Sequence, residues 1–236
     1  MDATGYVTLS RLSGLAREMD LVANNIANIG TQGFKSQGAV FSEFVAEVPD
    51  GRSLSMARAT AWHMNMADGP LSQTGGTFDL GIQGEGFFQI ESPDGPRLTR
   101  AGSFTASASG ELVNMDGLRL LDAGGAPVFV PPDAVAITIA TDGTMSADGT
   151  PIGQIGLWQP TDPLTLAYAG GNLLSAGNIE PVAGGEIRQG FLEESNVQPV
   201  TEVARMIEVQ RAYEQGQSFL DAEDERVRNM IQTMSR

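Results

Sequence analysis

The sequence contains no cysteine, one histidine and one lysine, and each shortage excludes a class of site. Without cysteine the chain can form no disulfide, no thiol nucleophile and no cysteine-ligated zinc or iron–sulfur centre. His63 has no partner at ligand spacing and is interpreted as a surface or packing residue. Ser195 has no histidine to activate it, so a serine triad is excluded. The sequence therefore predicts no catalytic, metal-binding or cofactor-binding residues and no cofactor.

Basic residues and long apolar runs are also scarce. The chain has 14 Lys and Arg against 29 Asp and Glu, a formal net charge of −15 at pH 7. Nucleic acid and anionic membranes are poor partners for such a surface. No apolar run approaches the ~18 residues of a membrane span, so no direct membrane insertion is expected. The N-terminal residues lack the pattern of a cleaved secretory signal, which leaves cytoplasmic residence and signal-less export both open.

Apolar residues near the N terminus recur at alternating spacings of four and three, which is typical of a heptad seam on one helix face. The seam comprises Gly5, Leu9, Leu12, Ala16, Met19, Ala23 and Ile26. Asn24 and Asn25 lie a full turn inside this helix and are interpreted as buried amides that set the register of an assembly. Asn28 either joins them or caps the helix before the glycines that follow.

The C-terminal region, roughly residues 199–235, predicts a second and longer helix. Pro199 suits the first helical position because it lacks the N–H that is unpaired there. The seam comprises Val203, Met206, Gln210, Tyr213, Gln217, Leu220, Asp224, Val227, Ile231 and Met234, and Ile207 widens it. Both seams are wider than a two-stranded coil requires. Two alternatives stay open: helices that order only in an assembly, or a helix pair within one chain docked on the central domain.

Between the helices, turn-forming pairs such as Asp94-Gly95 and Asp142-Gly143 separate short apolar or alternating runs. This pattern predicts an antiparallel β domain. The predicted fold is α+β and has three regions. The terminal helices form a coiled-coil assembly domain (1–30 with 196–236). An extended contact segment (31–68) and a central β domain (69–195) lie between them. Residues 39–48, within the contact segment, allow either strand or helix. The acidic pair Glu193–Glu194 is interpreted as solvated.

Three long motifs resemble the flagellar rod and hook axial protein family. They are "VANNIANIGTQGFKSQGAVFSEF" near the N terminus, "TFDLGIQGEGFFQI" with "RLTRAGSFTASASGELVNMDGLRLL" in the centre, and "RQGFLEESNVQPVTEVARMIEVQRAYEQGQSFLDAEDE" near the C terminus. The likeness covers essentially the whole chain, in the family's order. Because hook proteins carry additional β domains, the chain is more similar to rod members. It is most similar to the proximal rod member, with the distal rod member as the alternative.

The resemblance implies a structural, non-enzymatic subunit of the basal-body rod that polymerises through its terminal helices into the shaft joining motor and hook. It implies copies of the same chain, other rod proteins and the flagellar type III export apparatus as partners. It places the protein in the periplasmic rod, exported without a cleaved signal peptide. The implied assembly interface comprises Leu9, Leu12, Ala16, Met19, Ala23, Asn24, Asn25, Ile26, Asn28, Phe34, Asn196, Val203, Met206, Ile207, Gln210, Tyr213, Gln217 and Leu220.

Two readings from other functional classes compete with the rod subunit. One is a free-standing acidic β-domain protein that binds calcium or glycan and uses its helices only to oligomerise. The excess of acidic over basic residues between 70 and 190 suits that reading. The other is an enzyme acting on peptidoglycan, which requires a catalytic acid pair. Glu85 and Glu111 are the acids to test for it, but the sequence singles out no such pair.

Overall fold

The computed structural model describes residues 3–47, 53–182 and 184–234. It divides into two compact units. The helix–hairpin unit contains Met1–Ala27, Ser36–Asn65 and Val197–Arg236, and the β unit contains Asn28–Lys35 and Met66–Asn196. Residues 1–2 and 235–236 of the predicted terminal helices, 48–52 of the predicted contact segment and 183 of the predicted β domain lie outside the described residues.

Two antiparallel helices make up most of the helix–hairpin unit. Helix α1 spans Ala3–Ala27 and helix α2 spans Pro199–Met234, with Pro199 at the first helical position as the sequence predicts. Leu12 of α1 contacts Gly216 of α2, whereas Glu18, further along α1, pairs with Arg205, earlier in α2. The two helices therefore run in opposite directions within one chain.

A two-stranded antiparallel hairpin completes this unit. Strand β1 (Gln37–Glu47) pairs with strand β2 (Ser53–Met64), and the register shifts at Val40 and Phe41. The segment whose composition allowed strand or helix is therefore strand. The first residue of the hairpin is hydrogen-bonded to α1. The Asn25 amide donates to the Gln37 carbonyl and accepts from the Gln37 N–H, both at 2.9 Å. An isolated two-stranded hairpin is marginal in water, so this anchorage matters for its stability.

The β unit consists of short strands joined by tight turns. Its strands are β3 (Leu71–Gln73), β4 (Leu80–Gln83), β5 (Phe88–Ser92), β6 (Gly95–Thr99), β7 (Thr105–Ala106), β8 (Leu112–Val113), β9 (Ile137–Ile139), β10 (Thr144–Ala147), β11 (Thr150–Gln154), β12 (Trp158–Pro160), β13 (Ala167–Tyr168), β14 (Leu174–Ser175), β15 (Ile179–Pro181), β16 (Glu186–Gln189) and β17 (Phe191–Glu193). A 3₁₀ turn covers Pro163–Thr165.

The sheets of the β unit are small, and the pairings among its described strands are antiparallel. The largest sheet has the order β13-β14-β6-β5, and a three-stranded sheet has the order β11-β10-β9. Strands β17 and β16 return from the C-terminal side to pair with β3 and β4. The two ends of the β unit's sequence are therefore hydrogen-bonded together.

One apolar core holds the β unit together. The rings of Phe88 and Phe104 pack edge to face at a centroid distance of 5.5 Å. Around them pack Leu80, Ile82, Ile90, Leu112, Leu120, Val128, Val130, Ile139, Met145, Ile155, Leu157 and Ile187. The structure thus confirms the α+β class, with a helix at each end and antiparallel strands between them. In the described part of the chain, neither helix has an apolar stretch that could cross a bilayer.

Candidate assembly surface and buried charge cluster

The predicted interface residues of α1 divide between its inner and outer faces. Leu12 and Asn25 are buried within the helix–hairpin unit. Ala16, Met19 and Ile26 are half-buried, and Leu9, Ala23 and Asn24 are exposed. Val22, which precedes the seam residue Ala23, is also buried. Much of the N-terminal seam therefore packs inside the chain, and its part in assembly remains a prediction.

The predicted residues of α2 divide in the same way. Met206, Tyr213 and Leu220 are half-buried, and Val203, Ile207, Gln210 and Gln217 are exposed. The most buried residue of α2 is Val209, which the sequence did not single out. Gly216 was also missed; a Cβ there would lie 2.7 Å from Cδ2 of Leu12, so the helices approach closely at this glycine. The packed face is rotated slightly from the predicted seam.

Polar contacts fix the pairing of the two helices near the start of α2. Arg205 donates to Glu18 of α1, with Nη2 and Oε1 2.8 Å apart. Asn25 donates to a Glu202 carboxylate oxygen at 3.2 Å. Because the Asn25 amide is also bonded to Gln37, this buried asparagine joins α1, α2 and the hairpin. It organises a single chain, and any further role in assembly register stays a prediction.

An apolar stripe lies on the side of α2 turned away from α1. Val200, Val203 and Ile207 follow a helical i, i+3, i+7 spacing and are 84%, 47% and 45% exposed. Ile207 precedes the buried Val209 by two residues, which places it about 200° round the helix from the packed face. Such a stripe on one helix face indicates a surface that packs against another helix.

The predicted interface residues Asn28, Phe34 and Asn196 belong to the β unit. Asn28 accepts hydrogen bonds from Thr31, which suits a turn after α1. Phe34 is buried and stacks on Tyr168 at a centroid distance of 5.1 Å. The Asn196 amide donates to the Ala67 carbonyl at 2.8 Å. These three residues belong to a different unit from the helix stripe, and their part in assembly stays a prediction.

The β unit contains a buried charge cluster of Lys35, Arg100, Glu193 and Asp68. Nζ of Lys35 donates to Oε1 of Glu193 at 2.7 Å and to the Ala67 carbonyl at 2.8 Å. Nη1 of Arg100 donates to the other Glu193 oxygen at 3.0 Å. Lys35 and Glu193 have fully buried side chains, and that of Arg100 is 1% exposed. One carboxylate therefore pairs with both buried cations, one through each oxygen.

Further contacts complete the charge cluster. Arg100 also donates to the Gly84 carbonyl at 2.7 Å and approaches the half-exposed Asp68 at 3.4 Å. The Gly69 N–H donates to Glu193 at 2.8 Å. Burial lowers the pKa of Lys35, and the charge of Arg100 lowers it further, whereas Glu193 raises it. Arg100 and Asp68 also line an open cleft of about 380 Å³. The geometry suits a structural anchor, because the Lys35, Arg100 and Glu193 side chains are buried and paired with one another.

The charge cluster corrects one sequence interpretation. Glu193 is 1% exposed, so only Glu194 of the acidic pair is solvated. The physical reason is that Glu193 ends strand β17 and faces two cations, Lys35 and Arg100, that are far away in sequence. The signal available in the sequence was that Lys35 is the only lysine and lies within the N-terminal motif.

Tyr168 gives the β unit a pH-dependent contact with the N-terminal motif. Its hydroxyl donates to the Lys35 carbonyl at 3.0 Å and accepts from the Lys35 N–H at 2.9 Å. Burial raises the pKa of Tyr168 to about 12, from an ordinary 10.0. The folded chain therefore holds this proton more tightly than the unfolded chain does, so the stability that it contributes is present below pH 10 and lost as pH rises towards about 12.

We expect the β unit to lose stability across this alkaline window, and the Tyr168→Phe variant to lose less of it. The variant should also be less stable at neutral pH, because two hydrogen bonds are gone. Denaturant unfolding followed by Trp158 fluorescence in a Trp62→Phe background, at neutral pH and at several alkaline pH values, measures both effects. If the wild type and the Tyr168→Phe variant lose the same free energy of unfolding between neutral and alkaline pH, Tyr168 is not the group responsible.

Among the described residues, no group of three or more His, Asp or Glu side chains is arranged to hold a metal ion. Three family sequence profiles match the chain in order. "Flagella basal body rod protein" matches residues 6–35. "Flagellar hook protein FlgE/F/G D1 domain" matches residues 81–147, and "Flagellar basal body rod FlgEFG protein C-terminal" matches residues 188–233. Together the profiles cover most of both helices and residues 81–147 and 188–196 of the β unit.

Whole-chain relatives agree with the profiles. The chain is 40% identical over 243 residues to the flagellar basal-body rod protein FlgF of Caulobacter vibrioides, covering 100% of this chain and 99% of that protein. It is 39% identical to FlgF of Mesorhizobium japonicum, covering 89% and 88%. It is 34% identical to the rod protein FlgG of Agrobacterium fabrum, covering 88% and 90%. The chain thus belongs to the flagellar basal-body rod protein family and is a structural subunit of the rod.

Proposed function

We propose that this rod subunit assembles by packing the exposed stripe of α2 against helices of neighbouring subunits. The observation that carries the proposal is the stripe itself: Val200, Val203 and Ile207 form one apolar line on the side of α2 away from α1. Monomeric soluble proteins rarely expose such organised apolar surface without a partner. Copies of this chain and other rod proteins are the proposed partners.

The proposal gives the remaining predicted interface residues two roles. Exposed residues such as Leu9, Gln210 and Gln217 border helix faces that a neighbouring subunit can reach. Buried residues such as Leu12 hold α1 and α2 together and so present the stripe as a rigid surface. A coiled-coil shaft built in this way transmits torque because its helices are packed along their length.

The location of assembly is also part of the proposal. The sequence resemblance supports passage through the flagellar type III export apparatus, without a cleaved signal, and polymerisation in the periplasm. It also supports a proximal position along the rod. The absence of catalytic activity belongs to the same proposal, since a structural subunit needs only surfaces that pack.

Ile207→Glu tests the stripe. We expect the variant to fold, because Ile207 is half-exposed, and its incorporation into the rod to fall by at least about tenfold. Burying an unpaired charge between helices costs more than the 1.4 kcal/mol that corresponds to tenfold. The gene is replaced on the host chromosome, basal bodies are isolated, and the chain is quantified by immunoblot alongside swimming motility.

Thr201→Glu is the matched control for this experiment. Thr201 is also exposed on α2 and lies about 120° round the helix from Ile207. We expect this variant to assemble at the wild-type level. Normal incorporation of both variants would show that the stripe is not an assembly surface. Positions such as Leu12 and Met206 are less informative, because they are buried or half-buried on the helices and substitution there also perturbs the single chain.

A further inference from the structure

The end of α2 extends beyond the described part of α1. Helix α1 has 25 residues and helix α2 has 36. Because the helices are antiparallel with Leu12 level with Gly216, Ala3 lies level with about residue 225 of α2. The last turns of α2, from Arg226 to Met234, therefore continue past Ala3 by roughly 13 Å at 1.5 Å per residue.

This overhang carries an apolar ridge, defined as Val227, Met230, Ile231 and Met234. The spacing is i, i+3, i+4, i+7, and these side chains are between 40% and 83% exposed. Val227 follows the buried Val209 by 18 residues, which is about five whole turns of helix. The ridge is thus the direct continuation of the face that α2 packs on α1, and no described helix of the chain covers it.

The same unit contains a largely apolar groove between α1 and α2. The groove has a volume of about 320 Å³ and is lined by Val7, Thr8, Arg11 and Leu12 of α1 and by Ala212, Gln215, Gly216 and Phe219 of α2. Gly216 keeps the floor open because it has no side chain, and the half-exposed Phe219 forms one wall. The lining is mainly apolar, as a helix ridge requires.

We propose that the apolar ridge of one copy seats in the groove of the next copy of this chain. The inference rests on the proposed function, since it names the contact by which copies assemble. Ridge and groove are different surfaces of one unit, so the contact is head-to-tail and leaves a free ridge and a free groove at the two ends. Contacts of this kind repeat into an open filament, whereas a ridge-to-ridge contact would close a dimer.

Disulfide cross-linking tests the contact cleanly, because the chain has no cysteine of its own. The test variant carries Gln215→Cys at the groove rim and Met230→Cys on the ridge. The gene for this variant replaces the wild-type gene. Basal bodies are isolated and oxidised, and the cross-linked products are separated by gel electrophoresis without reductant. We expect a ladder of covalent multimers of this chain. Two single variants produced together should give dimers only, and each alone should give none.

Gln215→Cys combined with Asn229→Cys is the matched control, because Asn229 lies on the side of the overhang opposite the ridge and should not cross-link. Under reducing conditions the test variant should assemble like the wild type. If it assembles but gives no ladder, or if Met230→Cys alone gives dimers, the groove contact is wrong and rod membership stands. If the wild-type chain itself is absent from basal bodies, the proposed function fails.

Discussion

Replacing Glu193 with Gln is expected to lower the free energy of unfolding of the β unit by about 3–5 kcal/mol. The Glu193 carboxylate is fully buried and contacts Lys35, Arg100 and the Gly69 N–H. Its loss leaves two buried cations with only the half-exposed Asp68 nearby. Removing one partner of a buried ion pair is costly because the remaining charge is neither paired nor hydrated. The expected loss is a large fraction of a typical domain's stability.

The neighbouring Glu194 provides a matched control for this prediction. Glu194 is exposed, so Glu194→Gln should change the free energy of unfolding by less than about 0.5 kcal/mol. Lys35→Met should lower the free energy of unfolding by less than Glu193→Gln does, because Glu193 keeps Arg100 as its partner. Denaturant unfolding is followed by Trp158 fluorescence in a Trp62→Phe background, so that only the β unit reports. A Glu193→Gln variant as stable as Glu194→Gln would contradict the role of the charge cluster.

The overall architecture was predictable because its signals are local. Alternating spacings of three and four determine helix faces, and Asp-Gly pairs such as Asp94-Gly95 and Asp142-Gly143 determine turns. The helix start at Pro199 also depends on a local rule about the missing N–H. Fold class and element types therefore followed from residues that are neighbours in sequence.

Two features were harder to predict because they depend on residues distant in sequence: the faces by which the helices pack, and the charge cluster. The α2 pattern allowed a seam through Val203 and Gln210, whereas the structure buries Val209 and places Gly216 against Leu12 of α1. These faces are adjacent on the helix, so spacing alone cannot choose between them. The choice follows from Leu12 and Glu18 of α1, which lie almost 200 residues earlier and meet Gly216 and Arg205.

The asparagines illustrate the same limit. Their position inside α1 predicted that Asn24 and Asn25 are both buried near the seam, but Asn24 is exposed and only Asn25 is buried. Its partners, however, are the Gln37 backbone and Glu202, so it joins elements of one chain. Sequence patterns identify a buried amide through its unusual position on a helix. They do not identify its partner, because a hydrogen bond within a chain and one between chains require the same side chain.

Replacing Gly33 with Ala is expected to destabilise the β unit by about 2–4 kcal/mol. Gly33 has φ +65°, a left-handed conformation that is unfavourable for residues with a side chain. An added Cβ would also lie 2.3 Å from the carbonyl carbon of Arg100, a backbone atom that cannot simply rotate away. The Gly33 N–H donates to the Glu193 carbonyl at 2.7 Å, so any displacement also disturbs the charge cluster.

Gly30→Ala is the control, because Gly30 lies in the same motif and a Cβ there would meet nothing within 4 Å. This change should be neutral within about 1 kcal/mol. Thermal and denaturant unfolding of both variants, followed by Trp158 fluorescence in the same Trp62→Phe background, gives the comparison. If Gly33→Ala is as stable as Gly30→Ala, the N-terminal motif does not dock against Arg100 and Glu193. A selective loss would instead show that residues from opposite ends of the sequence close the β unit together, so that neither family motif can act without the other.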